Sequence, residues 1–136
     1  MPRQRSDTPD KLLTAVELEL MNIVWSIGRV AVKDVAAALP ESRRLAYTSV
    51  ATMLKILEQK NFLRCEKDAH AHVFVPIISK ETYEGACIEH MVTSVFDGEP
   101  VALVQRLLSV KELSRSELSA IESALRKLVK PAERRK

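Results

Sequence analysis

The sequence predicts a mainly α protein with one small β-hairpin, and three observations carry that prediction. Apolar residues recur at helical spacing through most of the chain, as at Val16, Leu20, Ile23, Val24 and Ile27. Two short β-like runs, Phe62–Glu66 and His72–Val75, sit together mid-chain around a polar stretch. With 3 glycines in 136 residues, the chain is poor in the residue that an all-β or loop-heavy fold uses at its turns. This length suits one compact domain or a small domain plus an appendage, with a core that needs neither disulfides nor metals.

The elements follow in order. Residues 1–11 read as an N-terminal arm, and Met1-Pro2-Arg3-Gln4-Arg5-Ser6 has no apolar core behind it, unlike a secretory signal. Thr14-Ala15-Val16-Glu17 has capping-box spacing, with Leu13 and Leu18 at the staple positions, so a helix starts there. Leu18, Met21 and Trp25 give this helix a second apolar face, so it should be covered on two sides, and Trp25 is expected in the core between the two halves of the chain. Gly28 is a natural stop. After the apolar stretch Val30-Ala31-Val32, a short helix from Lys33 to Leu39 ends at Pro40, and Glu41–Arg44 is a charged connector. A longer helix runs from about Ala46 to Lys60 on an inner stripe of Val50, Met53, Leu54 and Leu57, with Asn61 as a left-handed closing residue. Lys67–Ala71 is the expected hairpin turn.

Beyond Pro76 the pattern is helical throughout. Ser79 caps a helix carrying Tyr83, Cys87, Met91 and Val95. Asp97-Gly98-Glu99-Pro100 breaks it, and proline suits the next helix's first position. Val101, Val104 and Leu108 stripe that helix, and Ser114-Arg115-Ser116-Glu117 is a second capping box. The last helix carries Leu118, Ile121, Leu125 and Leu128 at spacings of 3, 4 and 3, a seam that packs on a partner helix, and Pro131 is expected to end it. One small chain cannot easily bury those stripes, so the reading is a homodimer held by Tyr83, Cys87, Met91, Val95, Leu118, Ile121, Leu125 and Leu128. The division is an arm at 1–11, a helix–turn–helix with a two-stranded wing at 12–78, a helical dimerisation domain at 79–130 and a basic tail at 131–136.

Composition excludes several classes. The net charge is +3, so any basic surface must come from local arrangement rather than from overall excess. No apolar run approaches a membrane span. Cys65 and Cys87 make no disulfide framework and fit a reducing cytoplasm. Catalysis finds no serine–histidine–acid arrangement, glycine-rich phosphate loop or paired-histidine helix, so the chain reads as a non-enzyme. Cys65, His70 and His72, or Cys87 with His90, fall short of the ligand number that a metal site needs, so no metal or other cofactor is expected. His72 reads as a packed strand residue.

The helix beginning near Ala46 has the residues for a DNA groove. Thr48, Thr52, Lys55 and Gln59 lie on one face, opposite the apolar stripe. Short hydroxyls allow close approach to base edges, and threonine methyls pack on thymine methyls. Tyr47 and Ser49 flank the helix start, where amides favour phosphate, and Arg43 and Arg44 precede it. Arg64, Lys67 and His70 are the wing's candidate phosphate or minor-groove contacts.

Taken together, Leu13–Glu17 with Met21 and Trp25, Leu45-Ala46-Tyr47-Thr48-Ser49-Val50 through Leu54, Leu57 and Lys60, the wing Asp68–Pro76, Phe96-Asp97-Gly98, Leu103-Val104 and Glu112-Leu113-Ser114 resemble the penicillinase-repressor family of bacterial winged-helix transcription factors. The resemblance implies a winged helix-turn-helix N-terminal domain, a C-terminal helical dimerisation domain and a cytoplasmic repressor. It also implies a double-stranded DNA operator with an inverted repeat, and control of β-lactamase or related stress genes. Asn61, His70 and Phe74 stand where glycine, arginine and tyrosine are usual. Some members of that family are inactivated by cleavage at an Asn-Phe pair downstream of a membrane-bound metalloprotease. The corresponding bond here, Arg106–Leu107, differs in character, so a protease-linked sensor is a partner implied by resemblance alone. The competing readings are a winged-helix protein-interaction adaptor and a ligand- or metal-sensing regulator.

Overall fold

The structure, a computed structural model, describes residues 12–43, 45–68 and 71–134. In chain order its elements are α1 (Ala15–Ile27), α2 (Val32–Ala38), a single 3-10 turn (Glu41–Arg43), α3 (Tyr47–Gln59), β1 (Leu63–Asp68), β2 (Ala71–Pro76), α4 (Lys80–Ser94), α5 (Pro100–Val110) and α6 (Arg115–Arg134). Three helices followed by an antiparallel hairpin form a winged helix-turn-helix. The N-terminal arm 1–11 and the last residues of the basic tail lie outside the described residues.

Local chemistry explains the element ends. The Thr14 hydroxyl accepts from the Glu17 amide, and the Glu17 carboxylate accepts from the Thr14 amide at 2.9 Å, so the capping box is closed in both directions. Gly28 ends α1 at φ 103°, a conformation that costs other residues strain. Asn61 takes φ 69° after α3, as its closing role requires. Ser79 accepts from the Thr82 amide at the start of α4, Pro100 holds the first turn of α5, and Ser114 and Glu117 close the second capping box.

The chain divides after His90 into two compact units. In the first, Leu20, Met21 and Val24 of α1, Val35 of α2, Val50, Leu54 and Leu57 of α3, and Phe62 and Leu63 entering the hairpin are almost wholly inaccessible. Each such side chain contributes about 1.5–3 kcal/mol of transfer free energy. Val30 lies beside β2 through paired backbone hydrogen bonds with Phe74, so the apolar stretch after α1 is a third sheet partner rather than a plain connector.

Three expectations change. The strands run to Asp68 and from Ala71, further into the expected turn, because every backbone group added to the ladder gains a partner. The first compact unit extends through His90. The reason is Tyr83, expected at a dimer interface but buried in its own chain, with its ring 5.9 Å from Trp25 and 5.7 Å from Phe62. Cys87, one turn on, packs against the same core. Finally, α6 continues past Pro131 to Arg134. Pro131 removes one amide and crowds the carbonyl four residues back, at a cost of about 3 kcal/mol, but its fixed φ is helical and the residues after it keep their donors.

The second unit contrasts with the first. None of the α5 side chains is buried. In α6, Ile121 is half-buried, whereas Leu125 and Leu128 are 54% and 73% exposed.

Candidate nucleic-acid interface

The helix α3 presents two opposed faces. Val50, Leu54 and Leu57 are fully buried, while Thr48, Ser49, Thr52, Lys55 and Gln59 are exposed. Its inner face is fastened at the far end by Lys60, whose Nζ donates to both carboxylate oxygens of Glu17 at 2.8 and 3.0 Å. Burial pushes the Glu17 carboxyl up, but the Lys60 ammonium and the Thr14 amide outweigh it and hold the group below the usual carboxylate range. One acidic side chain therefore caps α1 and anchors α3. At its start, α3 follows Ala46, which offers no side-chain cap, so its first amides keep their donors for an anion.

Arg43 sits on the 3-10 turn with its Nε 3.1 Å from Glu19 of α1. Arg44 and His70 lie outside the described residues. In the wing, Lys67 pairs with His72 and Arg64 with Val75. Alternation along the strands puts Cys65, Lys67, His72 and Phe74 on one face, and Arg64 and Glu66 on the other. Arg64 and Arg29 both pair with Glu66, at 2.7 and 2.5 Å, and they draw its carboxyl below the usual range, Arg64 most strongly. The Arg64 guanidinium is therefore engaged within its own strand, and the expected wing contacts are split between two faces.

Two grooves flank α3. The wing-side groove, about 460 Å³, is walled by Lys33, Tyr47, Lys55, His72 and Phe74 over small residues such as Ala51. The opposite groove, about 350 Å³, is lined by Val16, Leu45, Thr48, Ser49, Thr52 and Met53. Sequence reading missed Lys33 and placed His72 in the packing. His72 is exposed, with Nδ1 3.5 Å from Cys65 Sγ. The period-two alternation of His72 with Phe74 was the available signal for it. Lys33 had none, because it follows α2's first residue and joins α3 only through the turn between them. Among the described residues no group of three or more histidine, cysteine, aspartate or glutamate side chains converges as a metal site. None of the described helices is long and apolar enough to cross a membrane.

The sequence matches the penicillinase repressor family over residues 13–127. It is 29% identical over 115 residues to the transcriptional regulator BlaI of Mycobacterium tuberculosis, covering 83% of this chain and 82% of that protein. A 16.5 kDa protein of Latilactobacillus sakei is 28% identical over 85 residues, which is 62% of this chain and 56% of that protein's own length. Among solved structures, the DNA-binding domain of the repressor BlaI matches with 25% identity and a TM-score of 0.47, over 52% of this chain and 87% of that one. The CopR repressor matches with 28% identity and a TM-score of 0.44, over 49% and 97%.

Proposed function

The chain belongs to the penicillinase repressor family and is a DNA-binding transcriptional repressor rather than an enzyme, and we propose that it acts as a homodimer on an inverted-repeat operator, with α3 as the reading helix. The observation that carries this is the division of α3 into a fully buried stripe and an exposed row of Thr48, Thr52, Lys55 and Gln59. The buried stripe fixes the helix on a rigid support. The exposed row is slim enough for its hydroxyls to reach base edges in a major groove. The described units support the division of labour: the first holds the reading helix and wing, and the second offers the exposed seam of Leu118, Leu125 and Leu128 to a second copy.

Two protomers related by a two-fold axis read half-sites whose centres lie about 10 base pairs, or a multiple of that, apart. Selection of duplexes from a random library by the full-length protein is expected to return such a repeat, and an isolated half-site should bind far more weakly. Thr52→Ala should cost roughly 1–3 kcal/mol at one position of each half-site. Equal affinity for half-site and repeat, or a flat response to salt, would leave the adaptor reading as the better one.

A further inference from the structure

We propose that the wing-side groove seats a DNA backbone phosphate through Lys33 and Lys55, and that the hydroxyl-lined groove across α3 faces the bases. The inference rests on the DNA-binding reading above and deepens it: it fixes which flank of α3 meets backbone and which meets sequence.

The two grooves differ in charge as well as position. Lys33 and Lys55 stand on the wing-side groove from two different helices, and among the described residues neither has an ion pair. Tyr47, 59% exposed, adds a phenol, and His72 adds an imidazole from β2. Among the described residues no acidic side chain lines this groove. Asp34, the nearest carboxylate in sequence to Lys33, is turned back to accept from the Ala31 amide at 2.8 Å. Ala51 supplies a small side chain to the α3 wall of this groove. Two ammonium groups from separate elements, neither in an ion pair among the described residues, with a phenol on the same groove, are complementary to a phosphodiester.

Among the described residues, the opposite groove is lined by no charged side chain, and its polar groups are Thr48, Ser49 and Thr52. Neutral hydroxyls can donate to or accept from base edges, whereas a phosphodiester is better met by cations. Lys55 stands at the wing-side edge of the exposed row, so its ammonium belongs to the backbone-binding set. The base-reading set is then Thr48, Ser49 and Thr52. Lys33, on α2, is the residue that no reading of the third helix would include.

The test uses full-length protein with two probes: the duplex that wild type selects from a random library, and a scrambled duplex of the same length. Both are titrated across a salt series. Lys33→Gln and Lys55→Gln together should lower the slope of log affinity against log salt by about 0.9 per protomer, each alone by less, and every one of these variants should weaken both duplexes by the same factor. Thr52→Ala should leave the slope unchanged and weaken only the selected duplex. A neutral methylphosphonate at one backbone position per half-site should reproduce the loss of the Lys33→Gln/Lys55→Gln double variant, with no further loss when the two are combined. Lys33 is exposed, so thermal unfolding of the variant should match wild type and exclude misfolding. A steep wild-type slope that Lys33→Gln does not alter overturns this inference and leaves the repressor reading standing. A base-specific loss from Lys55→Gln overturns it equally. A flat wild-type slope removes both.

Discussion

Glu17 joins two jobs in one side chain, and its titration tests that union. Its carboxylate accepts from the Thr14 amide and from Lys60, and the net effect lowers its pKa despite burial. A depressed carboxylate stabilises the fold above its unfolded value of about 4.3, and that contribution is lost as pH falls through the folded value. Glu17→Gln is expected to cost about 1.5–3 kcal/mol near neutral pH, since a charged hydrogen-bonding partner of Lys60 is removed. Urea unfolding should show the gap to wild type closing below about pH 4. A gap unchanged from pH 7 to pH 3 would mean that the charge of Glu17 contributes nothing. Half of this arrangement was legible in sequence, because Thr14 and Glu17 sit at the fixed spacing of a capping box. Lys60 was not, since an ion pair 43 residues apart leaves no period to read.

At the scale of elements, α4 shows where periodicity stops being informative. Tyr83, Cys87 and Met91 form one stripe by spacing, yet Tyr83 is buried in its own chain while Met91 is 43% exposed. Spacing says that residues share a face and does not say what covers it. The Tyr83 hydroxyl accepts from the Leu13 amide at 2.9 Å, and burial pushes the phenol's pKa up against the opposing effect of that amide. Tyr83→Phe should cost about 1–2 kcal/mol by leaving that amide unpaired. Tyr83→Ala should cost about 3–5 kcal/mol, because it also removes the ring between Trp25 and Phe62. Denaturant unfolding gives both values. Sedimentation of Tyr83→Phe should match wild type, and a change in oligomeric state would return Tyr83 to the interface. The hairpin was legible as an element, but its faces were not. Arg64 and Lys67 looked equivalent in sequence, and only the strand register assigns them to opposite sides.

For the whole molecule, the second unit is where a single chain is least sufficient. Leu118, Leu125 and Leu128 are each about half exposed or more, and apolar area of that extent on a charged helix is stable when a second surface removes it from water. Leu125→Asp places a charge in the middle of this seam. It should cost several kcal/mol of association through lost burial and an unpaired buried carboxylate. Sedimentation at micromolar concentration should change from dimer to monomer, and operator affinity should fall to that of a single half-site. A wild type that sediments as a monomer would remove the dimeric reading.

Sequence alone determined the helical class, the capped starts of α1, α4 and α6, the proline that opens α5, the closing Asn61 and the outward row of α3. Each depends on interactions within a few residues, where spacing and geometry are the same thing. Only the tertiary structure decided that Tyr83 is core, that Val30 joins the sheet, that Lys60 anchors on Glu17 and that Lys33 stands across a groove from Lys55. Those facts depend on which distant surfaces meet, and burial and charge pairing between separate elements have no counterpart in local spacing.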